Sequence, residues 1–190
     1  MLFAQGAREG YHAGFAELKA WLLAKWMWNP EADMKALLDE FFDGYYGKGA
    51  PFVRAYFEKL HERQLQVPAD EKTRVLSIYE NVNTPVYADE SFMRWAEEQW
   101  AQAAAAVEGD PLFAYNVKMG WFSHRYTRLE QLRLKAKDVA ALRDNPEAVR
   151  LARWLLEAKT SARGPMQVKE WSEKERIAGW QEIAKGPLAR

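Results

Sequence analysis

The sequence holds no cysteine among its 190 residues. That removes disulfide scaffolds, thiolate metal sites and cysteine nucleophiles together. A chain without cysteine is stable in either redox environment, so the compartment stays open. Neither charge is in excess: 27 Lys and Arg face 27 Asp and Glu. A dedicated nucleic-acid binder needs surplus Lys and Arg to neutralise phosphate, so no nucleic-acid partner is expected. No run reaches ~18 uninterrupted apolar residues, so no membrane-spanning helix is expected. The opening residues MLFAQGAREGYH carry neither the basic start nor the apolar run of a signal peptide. Phosphate-cradling glycine motifs, His-Glu-x-x-His and Gly-x-Ser-x-Gly are all missing.

What is present is aromatic. Nine Trp, nine Phe and eight Tyr stand within a hydrophobic share of 48%, enough to fill the core of one domain at this length. Charge is uneven along the chain. Residues 1–110 carry 11 basic and 18 acidic side chains, a net of −7, and residues 111–190 carry 16 and 9, a net of +7. Two halves attracting each other within one fold is the ordinary reading; a basic surface for an anionic partner is the sharper one.

Helical periodicity dominates. Met34, Leu37, Leu38, Phe41, Phe42 and Tyr45 recur at i, i+3, i+4, i+7, i+8 and i+11, with Asn29-Pro30 as a start signal and Gly44 and Gly47 as the close. A helix after Pro51 turns Val53, Tyr56, Phe57 and Leu60 inward and Glu58, Lys59, Glu62 and Arg63 outward. After Asp89, the residues Phe92, Trp95, Ala96, Trp100 and Ala103 share a face. Asp110-Pro111 and Asn145-Pro146 read as N-caps followed by a first-turn proline. The first opens a long helix to about Ala136, with Tyr115, Met119, Phe122, Tyr126 and Leu129 on one side. The second opens a helix burying Leu151, Trp154, Leu155 and Ala158, with Gly164-Pro165 beyond its end. Ser172-Glu173-Lys174-Glu175 fits a capping box, whose serine would contribute roughly 1 kcal/mol. Residues 65–90 are the least periodic, with Val75–Tyr79 open to helix or strand and Asn83-Thr84-Pro85 reading as a turn. The expected fold is all-α, a bundle of about six to seven helices.

The first helix stands apart. Phe15, Leu18, Trp21, Leu22, Leu23, Trp26, Met27 and Trp28 wrap most of its circumference, against Glu17, Lys19 and Lys25 as its charges. A helix apolar nearly all round is buried on more than one side, so something is expected to pack there. Trp21, Trp26 and Trp28 are the candidate interaction residues, and self-association through them is one expectation.

Catalytic chemistry finds little support. Glu58-x-x-His61 lies on a helix, but a di-metal bundle site needs two such copies, and Glu9-x-x-His12 sits among Gly6, Gly10 and Gly14. Ser123 and His124 are neighbours in sequence and on a helix do not face each other. Asp39, Glu40 and Asp43 fall on the polar side of an amphipathic helix, whereas glycoside hydrolysis needs carboxylates facing across a cleft. No catalytic residue, metal site or cofactor is expected.

The stretch from Gly14 to Glu62 resembles a known family. Phe15-Ala16-Glu17-Leu18, Leu23-Ala24-Lys25, Trp28-Asn29-Pro30, Phe42-Asp43-Gly44-Tyr45-Tyr46-Gly47 and Ala50-Pro51 look like the C-terminal part of the bacterial family of unknown function numbered 4838. Its members resemble polysaccharide-degrading enzymes, with an α-glucuronidase-like N-terminal domain, a glycosidase-like (β/α)₈ barrel and a helical C-terminal region. The resemblance implies that residues 1–28 are a barrel-end strand and last barrel helix, and that 29–190 form the helical domain. It places Gln5 and Gly6 at the barrel mouth as substrate-binding residues, where active sites of that fold are built. The preceding strands, with any acid and nucleophile on them, are not in this sequence. The leading expectation is therefore a non-catalytic helical C-terminal module of a glycoside-hydrolase-like, polysaccharide-degrading parent, with its localisation left open. Its partner would be the barrel domain, a second copy or an oligosaccharide. A stand-alone helical interaction module and a small glycosidase using Asp/Glu pairs are the alternatives.

Overall fold

A computed structural model of the chain describes residues 14–68, 86, 87, 89–162 and 170–187, with the backbone alone described for 170–173. Glu9-x-x-His12, Val75–Tyr79, Asn83-Thr84-Pro85 and Gly164-Pro165 lie outside the described residues. The described secondary structure is all α, as the periodicity requires. Its elements are α1 (Ala16–Trp28), α2 (Met34–Tyr46), α3 (Ala50–Gln66), α4 (Glu90–Ala106), α5 (Pro111–Lys135), α6 (Pro146–Ser161) and α7 (Glu170–Ile183). Short 3-10 turns occupy Gly47–Gly49 and Ala140–Asp144. The chain divides into two compact units, residues 42–117 and residues 1–41 with 118–190.

Local chemistry sets most helix starts. The Asp89 carboxylate accepts from the backbone N–H of Ser91 and Phe92 at 2.8 and 3.3 Å. Asp110 accepts from Leu112 and Phe113, and Asn145 from Glu147 and Ala148, each pair at 3.0 and 3.1 Å. Each side chain thus satisfies donors that the first turn leaves without a partner. The start of α2 differs from expectation. Asp33, not Asn29-Pro30, caps it by accepting from Lys35 and Ala36, while Asn29 closes α1 through its backbone N–H to the Lys25 carbonyl. α2 also runs through Gly44 and ends only at Gly47, whose φ of 52° a glycine adopts without strain. α7 starts at Glu170, so Ser172 lies inside its first turn and not ahead of it. Ser172 is therefore not at the N-cap position that the expected capping box requires.

In the unit of residues 42–117, α3 packs on α4. Val53, Tyr56, Phe92, Ala96, Trp100 and Ala103 are all buried, the faces that the spacing picked out. Arg63 departs from its expected outward place. Its Nε donates to the Val86 carbonyl at 2.8 Å, its Nη1 to Asp89 at 3.2 Å, and its guanidinium lies 4.6 Å from the Phe92 ring centroid. It therefore ties α3 to the start of α4. Asp89 gains most from the Ser91 hydroxyl, then from the Ser91 and Phe92 amides, and these hold its carboxyl down at about 2 against an ordinary 3.8. A depressed carboxyl stabilises the fold fully above its unfolded value. That stabilisation is lost as pH falls from 3.8 through about 2. Carboxyl NMR titration should place the Asp89 midpoint near 2, and Ser91→Ala should raise it. A midpoint at the ordinary value in the native chain would contradict the cap geometry.

In the other unit, α6 packs on α7. Val149, Ala152, Leu155 and Ala158 of α6 are fully buried, as are Trp180 and Ile183 of α7. The Trp180 ring meets Phe122 and Tyr126 edge-on, with centroids 6.2 and 6.1 Å away. Arg153 holds the exit of α7 by donating to the carbonyls of Ala184 and Gly186 at 3.0 and 2.8 Å. Between α5 and α7 sits a buried charge. Glu130 is 6% exposed; Arg133 and Arg176 lie 3.2 and 3.1 Å from its carboxylate, and Arg176 also donates to the Tyr126 hydroxyl. Both arginines are close to a third exposed, which weakens the pair relative to a sealed one. Glu130→Ala should therefore cost about 2 kcal/mol, below the 3–5 typical of a fully buried pair. Urea denaturation measures it, and a loss under ~0.5 kcal/mol, the range of an ordinary surface substitution, would show that the network adds nothing.

Candidate interaction surface on the first helix

α1 starts with little local support. Phe15 precedes it at φ 58°, a conformation that strains a bulky residue, and provides no side-chain cap. Glu17 in the first turn and Lys25 in the last suit the helix dipole. Two apolar stripes then run back to back. Leu18, Trp21, Leu22 and Lys25, at i, i+3, i+4 and i+7, form the inner one, and Leu18 is only 2% exposed. Trp21 meets Phe41 of α2 at 5.5 Å. Lys25 lies 4.7 Å over the Trp21 ring and pairs with Glu40 at 2.8 Å. The one charged member of the inner stripe is thus paired by α2 while its ammonium stands over the Trp21 ring.

Ala20, Leu23, Ala24 and Met27 repeat the same spacing on the outer side, and all four are exposed. Trp28 ends the helix 92% exposed, beside Met27 at 52% and Leu23 at 38%. Met34, at the start of α2, is exposed as well. No charge interrupts this stripe. Water is a poor neighbour for it: fully covering a side chain such as Leu or Met is worth about 1.5–3 kcal/mol.

The sequence-derived candidates fall in different places. Trp28 is open, whereas Trp21 and Trp26 are half-buried. Gln5 and Gly6 lie outside the described residues. Leu23 and Met27 are the residues that attention to tryptophan alone passed over; they share a face with Ala20 and Ala24, whereas Trp28 follows Trp21 and Lys25 at i+7 and i+3. Of the catalytic candidates, Glu58, His61, Asp39 and Ser123 make contacts within their own helices. Glu58 pairs with Arg54 at 2.9 Å, and His61 is exposed, with its Nδ1 at 2.9 Å from the Phe57 carbonyl oxygen. Asp39 pairs with Lys35 at 2.8 Å and Asp43 is exposed. Ser123 donates to the Gly120 carbonyl at 3.0 Å, and His124 is buried. Among the described residues, no group of three or more His, Asp or Glu side chains could hold a metal ion. No described helix is long and apolar enough to cross a membrane.

The described residues are all α, with an exposed apolar stripe on the first helix. Residues 1–58 match the model of the family described as Domain of unknown function (DUF4838). The match spans α1, α2 and the first half of α3 and bears out the resemblance carried by Phe15 to Pro51. No curated protein and no solved structure matches the chain.

Proposed function

We propose that the chain is the non-catalytic helical C-terminal module of a glycoside-hydrolase-like, polysaccharide-degrading protein, docked on that protein's barrel domain through the outer stripe of α1. The observation that carries this is the exposure of Leu23, Met27 and Trp28 inside the stretch that matches the family. In this reading residues 1–28 complete the barrel, residues 29–190 are the helical module, and Gln5 and Gly6 face the sugar.

Area favours a covalently joined partner over a free second copy. Trp28 offers ~200 Å² and its smaller neighbours less, whereas a stable interface between separate chains takes about 800 Å² from each side. A tethered domain is present at an effective concentration in the millimolar range and holds on with less. Sedimentation velocity at micromolar concentration should therefore find the chain monomeric. A stable dimer dispersed by Met27→Asp would put a second copy on the stripe instead.

Reducing-sugar release from uronic-acid oligosaccharides tests the other half of the proposal. The chain alone should release none above the blank. Turnover that disappeared with Asp39→Asn or Asp43→Asn would replace the module with an enzyme.

A further inference from the structure

We draw no further inference here: the strongest candidate, the exposed apolar stripe of α1 formed by Ala20, Leu23, Ala24 and Met27 and ended by Trp28, belongs to the surface already described, and nothing in the structure shows what covers it.

Discussion

Trp100→Ala should lower the stability of the chain by about 3–5 kcal/mol, the usual cost of emptying a buried tryptophan site. Trp100 is 1% exposed, and its ring lies 5.4 Å from Tyr56 of α3 and 6.4 Å from Tyr46 of α2. Its stripe neighbours Ala96 and Ala103 are both fully buried and carry only a methyl each, so neither can fill the void. The residual cavity is what carries the cost to the upper end of the range. Urea denaturation followed by circular dichroism measures it, with Trp28→Ala as the control. Trp28 is 92% exposed, and its removal should stay within ±0.5 kcal/mol, as surface substitutions do. A Trp100→Ala loss no larger than the control's would mean that α3 and α4 do not pack around it.

Gly47→Ala is the second large effect. A Cβ at Gly47 would stand 2.6 Å from two ring carbons of Phe113, at a φ of 52°. The conformation costs an alanine on the order of 1–3 kcal/mol, and pushing the ring aside costs a similar amount. A net loss of about 3 kcal/mol follows, since the ring yields part of the way. Three residues earlier, Gly44 lies within α2 and a Cβ there meets nothing within 4 Å. Gly44→Ala should therefore stabilise by about 0.5–1 kcal/mol, through helix propensity alone. Opposite signs at the two glycines, read from thermal melts of the two variants, would support the geometry. The same sign at both would contradict the end of α2 at Gly47.

Those two glycines also show where sequence reading stops. Both stand in the Phe42-Asp43-Gly44-Tyr45-Tyr46-Gly47 run and look alike as helix stops, yet only Gly47 has the positive φ. Neither residue carries a side chain whose pattern could rank them. Helix starts were more legible, because an N-cap is decided within three residues by one oxygen and two N–H groups. Asp89, Asp110 and Asn145 follow that rule. Asn29 and Asp33 competed within four residues, and the one spaced to reach the first turn of α2 prevailed. Arg63 was illegible for a different reason: its partners Val86 and Asp89 lie 23 and 26 residues along the chain. No local pattern marks a cationic side chain that reaches so far. The inward faces of α3, α4 and α6 were plain from their period.

The outer stripe of α1 was legible only as an excess. Periodicity shows that a helix has too many apolar residues, but an apolar side chain facing a core and one facing water have the same letters. The structure separates them, burying Leu18, resting the half-buried Trp21 on Phe41 and leaving Leu23, Met27 and Trp28 outside. The candidate site is thus a surface, not a constellation of reactive groups. Its meaning depends on what the stripe meets in the native protein.

The mass of that native protein tests the account most directly. An immunoblot of the source cells with an antibody raised against this chain reads it without assuming a partner. A band several times larger than 22.0 kDa is the expected result, with the barrel domain on the same polypeptide as α1. A single band near 22.0 kDa would contradict the proposal and leave the stripe of Leu23, Met27 and Trp28 to a separate partner.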